Sequence, residues 1–109
     1  MAAPTAVNSG TQTATISTIH TLVTQTSAGI YVLQALLNNL ADGDTVTLAI
    51  QVRTTTGGTW YQAYAATFIG AQPDPMKYSI PVPVDVAIQC TLTQSTGTGR
   101  QFPWKLLSM

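Results

Sequence analysis

The chain of 109 residues is long enough for one domain with a hydrophobic core of its own. Charged residues make up only 7% of it, against roughly 25% in an average soluble domain, and the formal net charge is zero. Four basic residues cannot form the phosphate-binding patch of a nucleic-acid-binding protein, and no apolar run reaches the about 18 residues of a membrane span. The polar surface must come from Thr, Ser, Gln and Asn, which favours assembly with neighbours; a secreted β domain is the alternative.

The first thirteen residues show no apolar periodicity, and residues 1–13 are therefore predicted to form an extended N-terminal arm. A frayed terminus is the competing interpretation. The segment Met1–Thr5 has no positively charged start and no apolar run follows it, so no signal peptide is predicted and synthesis in a cytoplasm is expected.

The first strands are predicted from β-branched residues. From Thr13 the chain is rich in Thr and Ile, and the side-chain parity changes between Ile19 and His20, which indicates a bulge or a break. Residues 30–40 are ambiguous, because the leucines fit a helical spacing while residues 30–33 are typical of a buried strand. We favour a strand, since Asn38 and Asn39 interrupt a helix.

The remaining strands alternate clearly. Val46, Leu48 and Ile50 belong to an apolar row that faces a core, and the returning strand covers residues 59–69. Later apolar rows are predicted for three segments, one containing the prolines that belong on an edge or in a connection. The rows are Met76, Tyr78, Ile80, Val82, Val84; Val86, Ile88, Cys90, Leu92; and Phe102, Trp104, Leu106.

The pattern predicts an all-β protein, an antiparallel β-sandwich (jelly-roll or Ig-like) of about seven to eight strands over residues 14–109. A small barrel would give a similar pattern.

Residues able to support catalysis or metal binding are sparse. His20 is the single histidine and is predicted to be a sheet residue, while Cys90 shares the parity of a buried row and is predicted to be a small core residue. Asp42 and Asp44 flank Gly43 in a turn and lack the further ligands of a calcium loop. The sequence therefore predicts no enzyme, no metal site and no cofactor.

The aromatic residues are the remaining candidates for a functional surface. Trp60, Tyr61 and Trp104 could stack on sugars or anchor a protein interface, although the tryptophans are expected to be at least partly buried. With the arm, they complete the predicted interface. Its residues are Thr5, Val7, Thr11, Trp60, Tyr61, Phe102 and Trp104.

Several segments together resemble the small virion proteins encoded in the structural gene clusters of tailed bacteriophages. The resemblance spans most of the chain from about residue 8, and each segment alone is turn or strand sequence. The segments are Gly10–Ser17, His20–Leu22, Ala28–Leu33, Ala41–Thr45 and Gly97–Lys105.

The resemblance implies a β-sandwich that decorates or cements a capsid, located on the outer surface of the virion. Its expected partner is the major capsid protein, bound at capsomer junctions, and a homo-oligomer such as a trimer is expected from the local symmetry axes. A tail, neck or fibre component with an adhesion role is the alternative that the same resemblance implies. A carbohydrate-binding module is a third hypothesis and rests on Trp60, Tyr61 or Trp104.

Overall fold

A computed structural model describes residues 5–109, and these contain nine β-strands and no helix. The strands are β1 (Thr5–Thr13), β2 (Ile19–Gln25), β3 (Gly29–Leu36), β4 (Thr45–Arg53), β5 (Tyr61–Ile69), β6 (Met76–Tyr78), β7 (Val82–Val84), β8 (Ala87–Thr96) and β9 (Gln101–Ser108).

Two antiparallel sheets pack face to face and form the predicted β-sandwich. Sheet A has the order β1-β9-β3-β6, with β7 also paired to β3, and sheet B has the order β2-β8-β4-β5. The pairs are nested along the chain: β1 with β9, β2 with β8, β3 with β6 and β7, and β4 with β5. The whole chain therefore has the pairing of one long hairpin whose two arms are folded into two sheets. This is the strand order of a jelly roll, one of the two sandwich types, jelly-roll and Ig-like, that the sequence pattern allows.

The core lies between the sheets and is built from the alternating rows predicted for the central strands. Val46, Leu48 and Ile50 of β4 are buried and pack in one cluster with Ile88, Cys90 and Leu92 of β8. Sheet A contributes the inward residues of β3 and β9, which are Tyr31, Leu33, Ala35, Phe102, Trp104 and Leu106.

The ambiguous segment is a strand over most of its length. β3 ends at Leu36, and Leu37 and Leu40 then turn into the core, where both are buried. A backbone hydrogen bond from Leu40 N–H to the Leu37 carbonyl, 3.1 Å, closes this turn. The helical spacing of the leucines thus reflects a strand followed by a turn, so the preference for a strand is confirmed.

The row predicted from Met76 to Val84 is wrong as a single alternation. Met76 and Tyr78 in β6 point outward, opposite outward residues of β3, whereas Val82 and Val84 in β7 point inward and are buried. The chain changes parity between β6 and β7, because two residues, Ile80 and Pro81, lie opposite the single Val32 of β3, and Pro81 supplies no backbone donor. The prolines lie on an edge of sheet A, as predicted.

The N-terminal segment differs from the expected separate arm. Residues 1–4 lie outside the described residues, and Thr5–Thr13 is strand β1, paired with β9 along its length. Antiparallel pairing satisfies the backbone groups on one side of β1, although all of its side chains except Gln12 are exposed. The segment is extended, as predicted, but it is an integral edge strand of sheet A.

An ion pair between the buried Asp44 and the half-buried Arg100 connects the β8–β9 turn to the start of β4. Asp44 is almost fully buried, and its carboxylate accepts hydrogen bonds from Ala41 N–H (3.0 Å), Thr98 N–H (3.1 Å) and Arg100 Nε (2.9 Å). Desolvation by burial raises the pKa of Asp44, but the two backbone hydrogen bonds and Arg100 outweigh it and hold the pKa below its usual value. We call Asp44 and Arg100 the ionic lock.

Gln94 completes the lock from the core side. Its side chain is fully buried, and Nε2 donates to the carbonyls of Thr96 and Thr98 while Oε1 accepts from Arg100 N–H. Gly97 in the same turn has a φ of 89°, and a Cβ there would collide with the Asp44 carboxylate. The turn therefore needs both glycine and aspartate, which explains residues that the sequence identified only as turn formers.

Candidate interaction surfaces

The outer face of sheet A is rich in exposed apolar side chains, and we call it the apolar face. The exposed fractions are 44% for Ile30, 43% for Met76, 56% for Tyr78 and 52% for Met109. The face consists of Ile30, Val32, Leu36, Met76, Tyr78, Pro83, Pro103, Leu107 and Met109. Large apolar side chains exposed together on one surface mark an interaction site more often than scattered ones.

Two grooves lie on the apolar face. The larger, about 520 Å³, runs over β1, β9, β3 and β6, and is lined by apolar residues such as Leu36 and Met76 together with Thr11 and Lys105. The smaller, about 180 Å³, is lined by Val32, Tyr78, Leu107 and Met109. Side chains of a partner could fill these two grooves.

The polar edge of the larger groove is held in place by a cross-strand row. Gln34 lies between Lys105 of β9 and Tyr78 of β6, and its Nε2 donates to the Tyr78 hydroxyl at 2.8 Å. Ser9 of β1 extends the row beside Lys105. The apolar floor is therefore bordered by oriented hydrogen-bonding groups, which is the usual composition of a specific interface.

The outer face of sheet B has a different chemistry, and we call it the threonine face. Its cross-strand rows are Ile19–Thr93–Thr47–Thr67 and Thr21–Thr91–Ala49–Ala65, followed by a row with Thr24 and the glutamines Gln89, Gln51 and Gln62. Thr47 and Thr67 share a hydrogen bond between their hydroxyls, 3.0 Å long. This face is therefore mainly an ordered array of hydroxyl and amide groups, with the exposed Ile19 and Ile69 at its opposite edges.

The three predicted interface residues of the N-terminal segment lie on β1. Thr5 is exposed opposite Ser108, and Val7, 39% exposed, occupies the bulge where the register shifts between Ala6 and Asn8. Thr11 lies opposite Pro103 and lines the larger groove. Of these residues, Thr11 is the one that the structure brings to the apolar face.

The four predicted aromatic residues are not brought together. Phe102 is fully buried and Trp104 is 8% exposed, because both point inward from β9 into the core. Phe102 is therefore not available for an interface in the folded monomer, whereas Trp104 still lines the larger groove. Tyr61 is 70% exposed at the start of β5, and Trp60 beside it is half-buried.

Trp104 and Gly10 lie side by side where they line the larger groove. Gly10 of β1 lies directly over the indole ring of Trp104, and a Cβ at Gly10 would come within 3.1 Å of that ring. Trp60 is covered on one ring face by the guanidinium of Arg53, 4.6 Å from the ring centroid. The aromatic surface on which a sugar could stack therefore consists of Tyr61 and the face of the Trp60 ring that Arg53 does not cover.

Sequence reasoning missed most residues of the apolar face. The alternation predicts Met76 and Tyr78 in an inward row, Val32 only as part of a strand buried on both faces, and Leu107 in no row. The signal present in the sequence was Pro81, since a proline between two short strands permits the change of parity that turned Met76 and Tyr78 outward.

The residues considered for catalysis occupy structural positions. His20 is a strand residue opposite Leu92, and its Nε2 accepts a hydrogen bond of 2.9 Å from Thr15 N–H. Cys90 is buried in the core, where desolvation raises the pKa of its thiol to about 12. Within residues 5–109, no group of three metal-binding side chains is found, and no helix is long and apolar enough to cross a membrane.

Comparison of the chain with protein-family models, with curated proteins and with solved structures found no match.

Proposed function

We propose that the chain is a structural protein of a tailed-phage virion, a decoration protein that binds the capsid at capsomer junctions through its apolar face. The observation that carries this proposal is the exposed group Ile30, Met76, Tyr78 and Met109 around two grooves. Exposing such a group costs solubility in a charge-poor protein, and covering it in an assembly removes that cost.

The fold is compatible with this role. Jelly-roll sandwiches occur in viral capsid proteins and also in lectins and cupins, so the fold supports the proposal by analogy alone. The nearly uncharged surface adds a second argument, because a decoration protein is packed against many neighbours and does not depend on charge to remain dispersed. Modest contacts made by many copies then add up through multivalency.

The test uses heads of the phage that encodes the chain, produced without this protein, and measures binding by co-sedimentation. A lysine in the smaller groove of the apolar face, Tyr78→Lys, should weaken binding at least about tenfold, since it places a charge in a desolvated contact. Thr24→Lys is the matched control, because it adds the same charge to the exposed threonine face and should bind as the wild type does.

Two outcomes would refute the proposal: no binding of the wild-type chain to heads, or equal weakening by both lysine variants. Purified tails form a parallel arm, and binding to tails alone would assign the chain to the tail or neck instead. Deletion of residues 2–12 is a poorer test, because it removes most of β1 and uncovers the edge of β9.

A carbohydrate-binding role is the second candidate, and the exposed Tyr61 beside Trp60 is the observation that favours it. Aromatic rings bind the apolar faces of sugars by stacking. A glycan array with the wild type and Tyr61→Ala tests this role. Sugar binding that the variant loses would support it, and no binding to any glycan would remove it.

A further inference from the structure

We propose that β5 is a self-association strand that pairs antiparallel with β5 of a second copy of this chain, joining two sheets B into one eight-stranded sheet. The inference rests on the jelly-roll fold and not on the proposed virion role. It concerns the edge of sheet B, whereas capsid binding is assigned to the outer face of sheet A.

The four edges of the sandwich differ in how well they are protected against pairing. The edge formed by β6 and β7 consists of two three-residue strands that carry Lys77, Pro81 and Pro83 at or between them. Charges, prolines and short strands are the devices that natural proteins use to prevent edge pairing. This edge is therefore protected.

The edges β1 and β2 are poor templates for a different reason. β1 contains Asn8, Ser9 and Gly10, which are disfavoured in strands, and it has a bulge at Val7. β2 is interrupted by a bulge at Leu22 in the middle of its seven residues. Both edges are thus irregular.

β5 combines length with strand-forming residues. It has nine residues, Tyr61–Ile69, without charge or proline, and after a bulge at Ala63 it is regular from Tyr64 to Ile69. Aromatic and β-branched residues flank small alanines in this part. An uncharged strand of this kind at an edge is a template for another strand.

One backbone hydrogen bond shows which N–H and C=O groups of β5 point away from β4 and are open to a further strand. Gly70 N–H donates to the Asp44 carbonyl at 2.9 Å, and hydrogen-bonded residues alternate in an antiparallel ladder. Phe68, Ala66 and Tyr64 therefore direct their backbone groups toward β4. The N–H and C=O groups of Ala65, Thr67 and Ile69 point away from sheet B, toward the open edge.

The order of side chains in β5 suits a two-fold axis at Ala66. Antiparallel pairing about that axis places Ala65 opposite the partner's Thr67. The backbone N–H and C=O groups of these two residues, which point toward the open edge, then form two hydrogen bonds with each other. It also places Tyr64 opposite the partner's Phe68 on the core side, and such aromatic cross-strand pairs stabilise sheets. The two small alanines at the axis allow the strands to approach closely.

A second copy fits this edge better than a charged partner. β5 itself carries no charge and the whole chain has zero net charge, so a charged partner would find no complementary charge on this strand. The Lys77 ammonium of β6 lies on the core side, 5.2 Å from the centroid of the Phe68 ring. Because the same strand serves both copies, the interface is isologous and closes after two subunits. A trimer, if it forms, would have to use another surface.

A disulfide trap tests the arrangement. With Ala66→Cys, the two new thiols lie in a non-hydrogen-bonded pair whose Cα atoms are about 4.5 Å apart, a spacing that a disulfide accepts. The native Cys90 is buried and does not compete. Mild oxidation should convert most of this variant to a covalent dimer, whereas Thr24→Cys on β2 should remain monomeric on denaturing gels.

Light scattering after gel filtration provides an independent test with the full chain. The wild type should have twice the 11.5 kDa mass of the chain. Thr67→Pro removes a donor that points to the partner and not to β4, so it should give a monomer, whereas Thr67→Val should remain a dimer. Circular dichroism verifies that each variant is folded.

Ala65→Lys serves if the proline variant does not fold, since it adds a charge beside the axis on an exposed position and should also give a monomer. A wild type that is monomeric at every concentration would overturn the proposal. So would a dimer that both Thr67→Pro and Ala65→Lys leave intact, or an Ala66→Cys variant that cross-links no faster than Thr24→Cys. Each of these results leaves the capsid-binding proposal to be decided by its own lysine variants.

Discussion

The outer faces of the two sheets carry different side chains at equivalent positions of one sandwich. Near the middle of sheet A, the outward residue Val32 is 9% exposed and is surrounded by Leu107, Tyr78 and Met109. Near the middle of sheet B, the outward residue Thr91 is 7% exposed and lies between Thr21 and Ala49. Both residues are buried outside the main core, one among apolar groups and one among hydroxyl and methyl groups.

Low charge therefore does not give this sandwich a uniform surface. The threonine face forms hydrogen bonds with water through its hydroxyl groups, while its methyl groups pack between strands, and its exposed isoleucines, Ile19 and Ile69, lie apart at opposite edges. An apolar face with grooves leaves surface that gains free energy when a partner covers it. The two faces therefore predict different responses to the same change.

The largest expected effect comes from breaking the structure that supports both faces. Asp44→Ala leaves Arg100 without its partner and the N–H groups of Ala41 and Thr98 without their acceptor. We expect a loss of about 3 kcal/mol in the free energy of unfolding, since buried donors without partners are costly. Urea denaturation measures it, and a loss below about 1 kcal/mol would contradict the role of the ionic lock.

The pH dependence of stability tests the same lock without removing it. The pKa of Asp44 is lower in the folded protein than its ordinary value near 3.8, so its stabilising contribution is complete above pH about 4. That contribution is lost as the pH falls through the lower folded pKa. The melting temperature should therefore drop on acidification below pH about 4.

Asp44→Asn is the control for that experiment. It should be less stable than the wild type at neutral pH, and the difference should shrink as the pH falls below about 4, because the wild type then loses its own carboxylate. A constant difference across that range would show that the charge of Asp44 contributes nothing.

A smaller effect distinguishes the two faces at their matched central positions. Val32→Thr places a hydroxyl among apolar side chains and should cost about 1–2 kcal/mol, whereas Thr91→Val on the threonine face should change stability by less than about 0.5 kcal/mol. Chemical denaturation of both variants compares them directly. Equal costs at the two positions would show that the faces do not differ in the way described.

The sequence predicts the parts of this fold that depend on regular alternation. The inward row of β4 and the buried row through Ile88, Cys90 and Leu92 follow from period two, and the sandwich follows from the number and spacing of such strands. Alternation along the sequence does not show where a strand pairing is interrupted, and an interruption changes the side of the sheet to which later residues point. The sequence therefore does not predict the outward positions of Met76 and Tyr78.

The functional surfaces depend on which strands pair, and this information is nonlocal. Lys105, Gln34 and Tyr78 form one row although more than 40 residues separate Gln34 from Tyr78 in the chain. The role of Asp44 was hidden for the same reason, since Arg100 is 56 residues away. Local patterns identify strands and turns, while the nested pairing of a jelly roll decides which face each residue shares.

Oxidative footprinting of the wild-type chain, free and bound to heads, tests most directly whether the apolar face is the contact surface. Met76 and Met109 on that face are exposed, and methionine is readily oxidised to the sulfoxide. We predict that both methionines, together with Tyr78, are protected when the chain is bound, while Tyr61 on sheet B is modified equally in both samples. Unchanged labelling of Met76 and Met109 in the bound chain, or protection confined to Tyr61, would contradict the account.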